Sequence, residues 1–182
     1  MRNRTGRLAC AAAVGALIAA AVPSAYATSA GEATAPLAGA WTAKLVPGTT
    51  AVMGGFTCDS GTASGVDNTI LSATWQCQGP LGATGSARLT RAAAFAPSSS
   101  SGTVVSGNVQ GVVLAVRMET LFGTCTVTAT GNARNAAFDQ ATSEFSVGSG
   151  GGLTVSQANN CAGLAYAGDQ FPYSGTHLVT FT

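Results

Sequence analysis

Apart from its many hydroxyls, this 182-residue chain carries few side chains able to do chemistry: five cysteines, one histidine and seven carboxylates. Cys10 sits in an apolar N-terminal run, which leaves Cys58, Cys77, Cys125 and Cys161. A structural zinc site draws its ligands from close pairs. No Cys-x-x-Cys occurs, and His177 is distant in sequence from any cysteine pair. An even cysteine count in an exported chain reads instead as two disulfides, for which three pairings are open. Cys58 and Cys125 each follow a phenylalanine closely, in Phe56-Thr57-Cys58 and Phe122-Gly123-Thr124-Cys125. Cys77 and Cys161 are each followed by a glycine two residues on and then a leucine. That echo favours Cys58–Cys77 and Cys125–Cys161, each joining one strand of the first kind to one of the second.

The other reactive groups form no recognisable set. A triad of His177, Asp169 and a serine is conceivable, but a histidine in a terminal strand is more often a surface or packing residue, and no Gly-x-Ser-x-Gly elbow is present. Glu119 and Glu144 are the carboxylates outside obvious turns, and nothing in the sequence pairs them for glycoside hydrolysis. Asp59 and Asp67 lack the regular ligand series of a calcium loop. Gly148–Gly152, GSGGG, lacks the lysine of a phosphate loop. Asp169 after Gly168 reads as a turn residue whose carboxylate takes local N–H groups. No catalytic, cofactor-binding or metal-ligating residue is assigned, and no cofactor is expected.

The elements that position these residues begin after an export signal. Arg2, Arg4 and Arg7 precede an apolar run over Leu8–Val22, then Pro23 and the small-residue site Ala25-Tyr26-Ala27. That order predicts a signal peptide cleaved after Ala27, and the run is too short to span a membrane. Removing residues 1–27 from the 182 leaves 155, enough for one domain with a core. The basic residues fall from 8 to 5 while all 7 acids stay, so the net charge moves from +1 to −2. No clustered basic surface remains for nucleic acid.

The organisation expected is residues 1–27 as signal peptide, 28–40 as a loose lead-in and 41–182 as one β domain. Trp41–Val46, Ile70–Cys77, Thr103–Glu119, Cys125–Thr130 and Ser174–Thr182 are strand-like by alternation and β-branched content. Val52–Cys58 reads as one short strand loosened by Gly54-Gly55, and Asp59–Asn68 as a turn-rich connection. Gly85–Phe95, rich in alanine, reads as a short helix, and Pro97–Gly102, PSSSSG, as a polar hairpin tip or loop. Gly107 and Gly111 mark a bulge or bend. Asn135–Phe138 and Glu144–Val147 form a hairpin. Trp75, two residues before Cys77 on the same face, is expected in the core beside the disulfide. About nine or ten short strands with turns between them predict an all-β fold, a disulfide-stapled β-sandwich or a soluble β-barrel-like domain.

Three phrases in order carry a resemblance. They are Phe56-Thr57-Cys58 followed by Ser60, Ser64 and Gly65; Trp75 and Cys77 followed by Gly79-Pro80-Leu81; and Cys161, Gly163-Leu164 and Gly168-Asp169. Across roughly Thr42–Thr180 the chain resembles an uncharacterised group of secreted proteins of actinobacteria such as Streptomyces. The resemblance implies export and a disulfide-tied β fold, and it implies no activity. The expectation for function is a secreted, non-enzymatic binding or structural β domain with a cell-envelope or extracellular partner. The alternatives are a small secreted hydrolase or hydrolase inhibitor, whose reactive loop would lie in Pro97–Gly102 or Asp59–Asn68, and a binding module for an apolar small molecule.

Overall fold

The computed structural model describes residues 36–182, so the expected signal peptide and the first part of the lead-in lie outside the described residues. Within it run strands β1 (Ala40–Leu45), β2 (Ala51–Met53), β3 (Phe56–Val66), β4 (Thr69–Gln78), β5 (Thr84–Leu89), β6 (Ala93–Ser101), β7 (Val104–Thr120), β8 (Gly123–Asp139), β9 (Glu144–Val147), β10 (Leu153–Asn159) and β11 (Tyr173–Phe181). The fold is all-β, and of the two expected architectures it is the barrel. Eight strands close in the antiparallel cycle β1–β3–β4–β5–β7–β8–β9–β11 and back to β1. Three strands fill in where a cycle member stops short. β2 bridges β3 and β11, β6 bridges β4 and β7, and β10 lies along the first half of β8.

Both disulfides form in the favoured pairing, Cys58–Cys77 and Cys125–Cys161. They lie at one end of the barrel on a single rung: Cys58 faces Cys77, then Gly85, Met118 and Cys125 across β3, β4, β5, β7 and β8. Two cystines fit an oxidising compartment. By loop entropy, closing 19 and 36 residues contributes about 3 and about 4 kcal/mol.

The interior follows from period-two alternation. Trp41, Ala43 and Leu45 of β1 and Ala73, Trp75 and Cys77 of β4 are buried, while neighbouring Thr42, Lys44, Thr74 and Gln76 are exposed. Outside, hydroxyls pair across strands, Thr62 with Thr74 at 3.0 Å and Ser64 with Ser72 at 2.8 Å. Leu37, late in the lead-in, is buried against the core, with its N–H donated to Asn68 Oδ1 at 3.3 Å.

Four local expectations are corrected. Asp59–Asn68 is mostly strand β3, because its glycines are packing spaces instead of turns. A Cβ on buried Gly61 would lie 2.5 Å from Trp75 Cδ1, and one on Gly65 would run into the Trp41 ring. Gly85–Phe95 is not helical. Its alanines are small inward residues of β5 and β6, with Ala87 and Ala93 buried. Pro97–Ser101 belongs to β6, and of the expected loop only Gly102 lies in the tip of the β6–β7 hairpin; the pairing shifts register at Pro97/Ser99, where proline cannot donate to the ladder. Val52–Cys58 is two strands joined by a turn, Gly54 and Gly55 both having positive φ. The bulges near Gly107 and Gly111 and the β8–β9 hairpin are as expected.

Candidate ligand site at the disulfide end

Four connections converge on the end of the barrel that holds the cystine rung. The β2–β3 turn passes under Phe171, and a Cβ on Gly54 would sit 2.5 Å from that ring, so glycine is required there twice over, by space and by φ. The β4–β5 connection makes a 3-10 turn over Pro80–Gly82, closed by Gly79 N–H to Ala83 O at 2.8 Å. At the β7–β8 tip, Thr120 Oγ1 accepts the Phe122 N–H at 3.1 Å. In the loop after Cys161, Asp169 Oδ2 accepts the Tyr166 N–H at 2.8 Å, the turn role expected of that carboxylate. The loop then returns beside β10, with Phe171 N–H to Leu153 O at 2.9 Å.

Between these connections lies a cleft of about 450 Å³. Its inner surface is the buried side chains Met53, Val116, Met118, Val127, Val155 and Phe171. Its outer surface is Leu81, Leu121, Phe122 and Leu164, exposed by 84%, 80%, 75% and 59%. Thr120, Asp169 and Gln170 are its few polar walls, and no Lys or Arg lines it. The volume lies in the range of small-molecule sites, and the wall is apolar with few polar groups, as such sites are.

Deeper in the barrel is a second, smaller space of about 70 Å³ with an apolar wall that includes Trp41, Trp75, Tyr173 and His177. Here His177 is a packing residue. It is 4% exposed, and its Nε2 accepts the Trp75 indole N–H at 3.2 Å. Burial pushes its pKa down to about 4, so the ring is neutral at pH 7. Burial pushes the Tyr173 hydroxyl well above the usual phenol range. Trp75 is core, as expected from its register with Cys77, and its ring meets Tyr173 and His177 edge to face.

The fold does not assemble the other conceivable sets. His177 bonds to Trp75, while Asp169 is held at the rim by Tyr166. Glu119 sits at the cystine end, its carboxyl held below the ordinary range by the Thr124 hydroxyl and Arg117. Glu144 begins β9 opposite Asp139 and Leu178. Asp59 Oδ2 accepts from Gln78 and Asp67 Oδ1 from Gly39 N–H, at the two ends of β3. All four of these cysteines are in disulfides, and among the described residues no three His, Cys, Asp or Glu group together as metal ligands. Gly148–Gly152 is a turn in which Gly152 O accepts the Asn132 N–H.

Sequence reasoning located the cystines but missed the cleft. A signal was available: Pro80-Leu81-Gly82 and Leu121-Phe122-Gly123 put large apolar residues in turn sequences, where polar ones are the rule. Compared with known proteins, the chain matches no family model, no curated protein and no solved structure.

Proposed function

We propose that this chain is an exported, non-enzymatic binding protein whose ligand is an uncharged, largely apolar small molecule held at the cystine end of the barrel. One observation carries the reading: four connections enclose a cleft of about 450 Å³ with apolar walls and no basic side chain. Burying a lone carboxylate or phosphate there would leave its charge unpaired, which is costly, so a neutral ligand is favoured. Both cystines brace the walls, since Cys77, Cys125 and Cys161 each lie within four residues of an apolar loop tip. A braced site loses little freedom on binding, which favours affinity. The two segments suited to an inhibitory or reactive loop, Asp59–Asn68 and Pro97–Gly102, run largely as strands β3 and β6 of the wall, which supports binding over inhibition. The alternation, with tryptophans inside and hydroxyls outside, is the reverse of a lipid-facing barrel wall and supports a water-facing exterior.

The test is displacement of the uncharged dye Nile red from the purified protein. 1-Dodecanol should displace it well and dodecanoate poorly. Displacement by dodecanoate alone, or by neither, would sink the reading.

A further inference from the structure

The cleft has an outward side that ligand binding alone does not require. Leu81, Leu121, Phe122, Leu164 and Tyr166, each 59–84% exposed, stand on three separate connections at the same end of the barrel. Single exposed apolar residues are ordinary, but five at one end of the barrel, four of them lining one opening, mark an interaction surface. Leu81 is held at φ 57°, a conformation that branched and bulky residues avoid, so the backbone is strained to present an apolar side chain to water. The cystines next to these turns keep the tips in place. No Lys or Arg lines the opening; the carboxylate Asp169 is turned to the Tyr166 N–H, and Glu119, two residues before the Leu121 tip, is paired with Arg117 at 2.8 Å.

We infer that this rim docks on the surface of an electrically neutral lipid bilayer, inserting its tips so that the cleft loads from or delivers to the lipid phase. Three features select that occupant. The tips are highly exposed and belong to different turns, which suits a soft phase into which each can sink. The rim lacks basic residues, so attraction to anionic lipid plays no part. The ligand class proposed for the cleft partitions into lipid and is scarce in water. This last point rests on the cleft reading; the first two do not.

The experiment is flotation of the disulfide-bonded protein with vesicles of pure phosphatidylcholine and of phosphatidylglycerol, at low and at high salt. The wild type is expected to float with both, independently of salt. The double variant Leu81→Asp, Phe122→Asp should lose at least about tenfold in vesicle partitioning, the scale of removing two buried apolar side chains. Circular dichroism should show that it keeps the barrel. Ala165→Trp, which fills the cleft behind the rim, should lose Nile red binding in solution and still float. Flotation in the absence of any Nile red binding would leave the rim inference standing and remove the proposed ligand. Binding confined to anionic vesicles and lost in salt would overturn the inference. So would no flotation of the wild type, or a wild type that dimerises through this face and ignores vesicles.

Discussion

Protonating His177 should destabilise this barrel as the pH falls from about 7 to about 4. The histidine is buried between Trp75 and the core, and burial holds its pKa at about 4 against an ordinary 6.5. Between those values the unfolded chain binds a proton that the folded chain refuses, so stability falls as the pH is lowered. The contribution is complete above about pH 7 and has been given up by about pH 4. At 1.36 kcal/mol per unit, the loss comes to about 3 kcal/mol, a large part of the 5–15 kcal/mol typical of a domain. Glu119 and Asp139, whose pKa values are lowered by the Thr124 hydroxyl and the Ala141 N–H respectively, add their own acid sensitivity only below about pH 4.5. Urea unfolding by tryptophan fluorescence at pH 7.5, 6, 5 and 4.5 separates the two windows. His177→Gln, still able to accept the Trp75 N–H, should flatten the slope between pH 7 and 4.5. A wild type equally stable at pH 7.5 and 4.5, or a variant that keeps the slope, would refute the reasoning.

Three further outcomes follow from the packing. Gly61→Ala puts a methyl 2.5 Å from Trp75 Cδ1 and should cost about 2–3 kcal/mol in urea unfolding, with part recovered in a Gly61→Ala, Trp75→Phe double variant. Replacing Cys58 and Cys77 together by alanine should cost about 3 kcal/mol, and replacing Cys125 and Cys161 about 4 kcal/mol. In the cystine variants Nile red affinity should fall as well, because the cleft loops lose their braces; unchanged affinity would detach the cystines from the site. At high pH, the half-buried Tyr173, its hydroxyl held above the usual phenol range, stays protonated when its unfolded counterpart ionises near 10, so stability should drop above that pH in alkaline unfolding curves and less so in Tyr173→Phe.

Much of the fold was legible where a residue's local pattern and its tertiary use agree. Alternation in Ile70–Cys77 and Cys125–Thr130 gave strand β4 and the first half of β8, which runs on through Gly131-Asn132 and takes in Asn135–Phe138, and the repeated Phe/Cys and Cys/Gly/Leu phrases gave the two cystines. The reading failed where small residues carry two meanings. Glycine at 61 and 65 looks like a turn former, yet its missing side chain is the space that two tryptophans occupy. Alanine at 87 and 93 looks helical, yet it is the small partner in a crowded lumen. The choice of barrel over sandwich was not legible, because it depends on β1 meeting β11, some 140 residues apart, and one strand's pattern does not name its neighbour. The cleft depends on the same closure. Leu81, Phe122 and Leu164 are far apart in sequence and share an opening only once β4, β7 and β10 end on one side.

The most direct measurement of the central claim uses methionine. Besides Met1 the chain has only Met53 and Met118, and both line the cleft. With 13C-labelled methionine methyl groups, titration with 1-dodecanol should shift both resonances in a saturable way with one common affinity, and Ala165→Trp should abolish the shifts. If both methyl signals stay in place while the alcohol is raised to its solubility limit, the cleft is not the ligand site.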